Sequence, residues 1–117
     1  MSLPPPNTKN NFLVHILDLP DAYAERMKHS PVHMEQNGPI MESGRLVAAG
    51  GILQSGARSS DADALQKVVG SWMVASAETE EEVWELLRKD IYYTSGEVWD
   101  HKKITVSATF VAIPSKA

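Results

Sequence analysis

Apolar and polar positions fall in blocks along this chain, and the blocks predict its elements. The first apolar run, Phe12-Leu13-Val14-His15-Ile16-Leu17, is rich in strand formers and is stopped by Asp18-Leu19-Pro20. That is the pattern of a buried strand. Residues 22–28, after Pro20-Asp21, are mostly good helix formers and predict a helix. Ser30-Pro31 reads as a restart, with the serine capping and the proline in the first helical position. Gly38-Pro39 is a second weak point, so this helix is expected to kink or split before it ends near Gly44.

Residues 45–53 predict a second strand, where Gly50-Gly51 marks a bulge or a close backbone approach. Residues 54–67 are polar and read as a loop, and 68–75 as a third strand. Thr79 and Glu82 form a capping box, followed by an apolar stripe of Val83, Leu86 and Leu87. Glu80, Glu81 and Glu82 in its first turn and Arg88-Lys89 in its last suit the helix dipole. Residues 90–100 read as an irregular, aromatic-rich connection. The last strand is expected over 104–113, with Ile104, Val106, Ala108 and Phe110 on one face and Thr105, Ser107 and Thr109 on the other. The proline-rich residues 1–10 are expected to be a disordered arm, leaving 11–114 as one domain.

The order strand, helix, strand, strand, helix, strand is the α+β, ferredoxin-like βαββαβ pattern. Two helices cover one face of such a sheet. The other face needs a cover, and a second copy of the chain is the simplest one.

Composition narrows the function classes. The chain has 117 residues, 43% of them hydrophobic and 22% charged, which suits one globular domain without room for a separate cofactor domain. Cysteine is absent, so disulfides, thiolate metal sites and a catalytic thiol are excluded. A net charge of −4 argues against a nucleic-acid binder. No apolar run approaches the ~18 residues of a spanning helix, so no membrane partner is expected. The polar, proline-rich start carries no signal peptide, which makes the cytoplasm the expected compartment.

Histidines and carboxylates are therefore the main acid–base candidates. His29 and His33 are four apart and would share a helix face, but no third metal ligand follows at a recognisable spacing. They read as solvated or hydrogen-bonded histidines. Arg26 precedes His33 by two turns and could share that face. His15 shares a strand face with Leu13 and Leu17, as either a satisfied core residue or part of a pocket. His101 reads as a surface residue. Asp90 ends a helix, where the dipole disfavours a negative charge, and a locally unfavourable position is a mild functional signal. Trp72, Tyr92, Tyr93 and Trp99 supply aromatic surface, of which most is expected in the core.

These pieces together resemble one family. The strand leading into Asp18-Leu19-Pro20 is one part. Arg26, His33 and Gly44 leading into Gly50-Gly51 are another. Gly70-Ser71-Trp72-Met73-Val74 precedes the acidic helix, and Asp90-Ile91-Tyr92 leads to Gly96 and Val98-Trp99-Asp100. In this order the chain resembles the YCII-related domain proteins, more closely their fungal-type members, over roughly residues 11–113. The resemblance implies a dimeric α+β barrel with a site built on a histidine–aspartate pair, at His33 and Asp90 here. It also implies cofactor-free chemistry, the family including elimination of hydrogen chloride from an aromatic substrate. Ser30, Ile91 and His15 stand where relatives often carry arginine, proline and an aliphatic residue.

The expected function is thus a cofactor-independent lyase or isomerase for a small aromatic or polyketide-like metabolite in a secondary-metabolite pathway. His33 would be the general base or acid, Asp90 its orienting partner and His15 a second acid–base group. Arg26, Trp72, Tyr92 and Trp99 would bind substrate. No metal and no cofactor are expected, and the partners are a small molecule and a second copy of the chain. The alternative is a non-catalytic, small-molecule-binding dimeric module. A purely structural dimer, its cavity filled by side chains, is a third reading.

Overall fold

Residues 9–113 are described in the computed structural model. Residues 1–8, most of the expected arm, and residue 114 lie outside them. Strand β1 (Asn10–Asp18) starts one residue inside that arm. Phe12, Val14 and Ile16 alternate along it as buried positions with the more exposed Leu13 and His15. Helix α1 (Tyr23–Glu42), β2 (Leu46–Leu53) and β3 (Val68–Ala77) follow, then α2 (Glu80–Lys89), a single turn α3 (Ile91–Thr94) and β4 (Trp99–Thr109). The sheet order β2-β3-β1-β4 is antiparallel at every pairing. It is the ferredoxin-like α+β arrangement that the sequence pattern predicts.

Among the described residues the three α-helices pack on one sheet face, and a 3-10 turn over Ala64–Lys67 ends the segment expected to be a loop. Register sets Val14 between Met73 and Val106, and Ile16 between Ser71 and Ile104. Val83 and Leu87 of α2, Tyr92 of α3, and Val98 and Trp99 at the start of β4 close over them. A buried aliphatic side chain contributes roughly 1.5–3 kcal/mol, so this cluster is the main source of stability. The capping box of α2 forms with a shift. The Thr79 hydroxyl accepts from the Glu82 amide at 3.3 Å, while the Glu82 carboxylate accepts from the amide of Glu78.

Three expectations are corrected. Helix α1 runs unbroken through Pro31 and Pro39 for 20 residues, with Gly44 at φ +80° just beyond its end. Its start is at Tyr23, after the left-handed Asp21 (φ 56°). The connection after α2 contains α3, a helical turn that Asp90 caps. The last strand spans Trp99–Thr109, and Phe110 and Ile113 beyond it are exposed. Of the two readings of Gly50-Gly51 the structure shows the close approach: a Cβ on Gly50 would sit 2.7 Å from Nε1 of the Trp72 indole, while the register shifts fall between Leu46 and Ala48 and between Ile52 and Leu53.

Candidate functional site

Arg26, His29, His33 and Asn37 recur at helical spacing, so they occupy one face of α1. Each meets a carboxylate from another element. Arg26 forms a two-point ion pair with Asp18 at the end of β1, with N···O distances of 2.8 and 2.9 Å. His29 Nε2 lies 3.0 Å from Glu97 in the turn before β4. His33 Nδ1 lies 2.8 Å from Asp90 Oδ1.

Asp90 sits where one helix ends and the next begins. Its amide donates to the Leu87 carbonyl as the end of α2, and its side chain accepts from the Tyr92 amide at 2.9 Å as the start of α3. The dipole objection raised by the sequence therefore dissolves, because a negative charge is favoured at the start of α3. The same carboxylate accepts from Asn37 Nδ2 at 3.0 Å. Gln36 secures this junction from α1, accepting from the Ile91 amide and donating to the Lys89 carbonyl.

The His33 ring lies flat on Tyr92, with centroids 3.9 Å apart and planes 9° from parallel. Trp99 meets both rings edge-on. Beneath them, Ser71 Oγ accepts from Arg26 Nη2 at 2.8 Å and from Trp99 Nε1 at 3.1 Å. The Arg26 guanidinium lies over the Tyr92 ring, 4.8 Å from its centroid. His33 is 20% exposed and Asp90 7%. Its Nε2 makes no hydrogen bond among the described residues. A histidine tied at Nδ1 to a carboxylate and open at Nε2 can accept and return a proton there.

The structure brings together five of the seven site residues that the sequence singled out: His33, Asp90, Arg26, Tyr92 and Trp99. Tyr92 and Trp99 are buried, so they form the floor under His33. The Arg26 guanidinium is engaged by Asp18 and Ser71 rather than free. His15 and Trp72 are not part of this cluster. They pair across β1 and β3 on the opposite sheet face, where His15 is exposed, because side chains alternate along a strand. Asn37 escaped the sequence reading, and Asp18 and Ser71 entered it only as parts of the resembling segments, without a place in the site. Asn37 stands one turn beyond His33, a signal hidden by the break expected at Gly38-Pro39.

One group could hold a cation. Glu25, His29 and Glu97 place ligand atoms within 4.8 Å of one another. The Lys28 ammonium already lies 3.7 Å from both carboxylates. The Glu97 carboxyl is held below its ordinary range, chiefly by its hydrogen bond with His29 and then by Glu25. A groove of about 310 Å³ lies elsewhere, lined by Ile40 and Arg45, by Ala77, and by Val83, Leu86 and Lys89 of α2. It contains neither His29 nor His33.

The YCII-related domain model matches residues 11–105. Fusaric acid biosynthesis protein 2 of Gibberella fujikuroi is 35% identical over 95 residues, covering 81% of this chain and 88% of that protein. Aspartate kinase FUB3 of Fusarium oxysporum is 36% identical over 95 residues, but the chain spans only 17% of its length. Among solved structures, 5-chloro-2-hydroxyhydroquinone dehydrochlorinase from Burkholderia phenoliruptrix AC1100, in complex with 2,5-dihydroxybenzoquinone, has the same fold. The TM-score is 0.71 at 19% identity, over 86% of this chain and 93% of that one.

Proposed function

The chain belongs to the YCII-related domain family, and from that premise we propose that it is a cofactor-independent lyase or isomerase for a small aromatic or polyketide-like metabolite. The observation that carries this reading is the His33–Asp90 contact of 2.8 Å at Nδ1 with Nε2 unpartnered among the described residues. In the proposed step, Nε2 takes a proton from an O–H or C–H of the substrate. The electron pair left behind expels a leaving group or shifts a double bond, and Asp90 balances the imidazolium until the proton is returned. Arg26, held by Asp18, fixes the Tyr92 ring on which His33 rests.

Two lines of support come from outside the site. A relative of similar length is named for fusaric acid biosynthesis, which fits a place in secondary metabolism. The structural neighbour is named as a dehydrochlorinase and is bound to a quinone, which fits a small aromatic substrate. The same reading makes the protein a cytoplasmic homodimer that joins through its open sheet faces. His15 and Trp72 would then line the space between the sheets and could contribute a second proton-transfer group there.

The test is turnover of 5-chloro-2-hydroxyhydroquinone and a panel of hydroxylated aromatic and polyketide-type metabolites. His33→Ala and Asp90→Asn should each lower kcat/KM on the active substrate by about 10²–10⁴-fold, the range of a lost general base. Full activity in both variants would remove the dyad from the mechanism. Saturable binding of 2,5-dihydroxybenzoquinone, without turnover of any compound in the panel, would favour the binding module.

A further inference from the structure

Hydrogen-bond bookkeeping around Asp90 gives a role to a residue outside the dyad. Asn37 Nδ2 lies 2.7 Å from the His33 carbonyl oxygen, 3.0 Å from Asp90 Oδ2 and 3.2 Å from His33 Nδ1. A primary amide has two N–H donors. Two of these neighbours are oxygens that carry no hydrogen, the carbonyl and the carboxylate. Turning the amide over would set its own oxygen against both, so its orientation is fixed by its partners. Both hydrogens are then used, and none is left for the ring nitrogen.

The ring must therefore supply the hydrogen between itself and Asp90. Oδ1 already accepts from the Tyr92 amide at 2.9 Å. An unprotonated Nδ1 would face that oxygen lone pair to lone pair across 2.8 Å. Nδ1 consequently carries a hydrogen in the neutral ring and donates it, and the lone pair sits on Nε2. With Asp90 only 7% exposed, water is a poor replacement for either donor. Tyr92 and His33 both hold Oδ1, so Asn37 is the side chain that fixes the rotation of the carboxylate through Oδ2.

We propose that Asn37 is a positioning residue: by joining Asp90 Oδ2 to the His33 carbonyl, it locks the carboxylate in the orientation that keeps neutral His33 as the Nδ1–H tautomer, with Nε2 as the basic nitrogen. Its catalytic meaning rests on the proton-transfer reading of His33, but the tautomer does not. The two can thus fail separately.

The experiment is long-range proton–nitrogen NMR on nitrogen-15-labelled full-length protein, which reads the tautomer of His33 directly. Wild type should give the Nδ1–H pattern. In Asn37→Ala and the milder Asn37→Ser, with folding confirmed by thermal melts, the Nε2–H form should grow to at least about a tenth of the neutral ring, since a tenfold equilibrium needs only a small energy bias. On an active substrate, kcat should fall on the order of tenfold or more, as expected for a misplaced base, with KM within about twofold. An Nε2–H ring in wild type would overturn the proposal, as would an unchanged tautomer in a folded variant. A changed tautomer with unchanged kcat would leave Asn37 in place and instead remove His33 from proton transfer.

Discussion

Arg26 illustrates how a residue type can suggest one role and its surroundings another. An arginine two turns before a histidine invites assignment as an anion binder. Here its guanidinium is 12% exposed and grips an Asp18 carboxylate that is 4% exposed. It also donates to Ser71, which Trp99 shares. Removing one partner of such a pair strands the other charge away from water, at a cost of about 3–5 kcal/mol. Arg26→Ala should therefore lower the unfolding free energy by roughly that amount in a urea titration. Arg26→Lys should recover only part of it, because an ammonium cannot make the two-point contact. A variant as stable as wild type would mean that the arginine is free for ligand. Spacing linked Arg26 to His33 along one helix, but it was the family resemblance that paired His33 with Asp90, since Asp90 lies 57 positions away and no periodicity joins the two.

Helix α1 shows why an element can be found and still be misjudged. Its apolar pattern is poor because none of its described residues is fully buried. Met27, Met34 and Met41 are exposed, while the inner face carries Arg26, His29 and His33. Ion pairs and hydrogen bonds dock this helix, so a search for an apolar stripe could not register its length, and Pro31 and Pro39 suggested breaks. Helix α2, by contrast, buries Val83 and Leu87 and has its capping box, and was legible. The polar docking of α1 makes it sensitive to acid. Glu97 faces His29, Glu25 and Lys28, all on α1, and its carboxyl lies below the ordinary value of 4.5, first through the His29 hydrogen bond. A lowered folded value means that the contact stabilises the fold above the unfolded value and is lost as pH falls through the folded one. The Tm gap between wild type and Glu97→Gln should be widest near neutrality and close below about pH 4.5. A gap that persists at pH 3 would assign the effect to packing rather than charge.

At the scale of the whole molecule, the sheet has two unlike faces. One carries Phe12, Val14 and Ile16 under the helices. The other carries Leu13, His15, Trp72 and Val74, and the Trp72 indole lies against the bare backbone of Gly50. The order of elements and this division were legible from the apolar runs and from the alternation in β1 and β4. The cluster around His33 and Asp90 was legible only in part, because it joins the helix side of the sheet to α1 and α3, while His15 and Trp72 alternate to the other side. Leu13, paired with Val74 and 43% exposed, is the place to probe what covers the open face. If two copies meet there, Leu13→Lys would have to bring a charge into the interface, which costs several kcal/mol per ion. That corresponds to weakening association by about a hundredfold or more. The same lysine is harmless in a monomer, where the face is wet, so the melting curve of the dissociated chain should hardly move. Light scattering across micromolar concentrations should give twice the chain mass for wild type and a single chain mass for the variant. A wild-type protein that stays at a single chain mass would detach His15 and Trp72 from any shared chamber and leave the His33–Asp90 pair as a site complete within one chain.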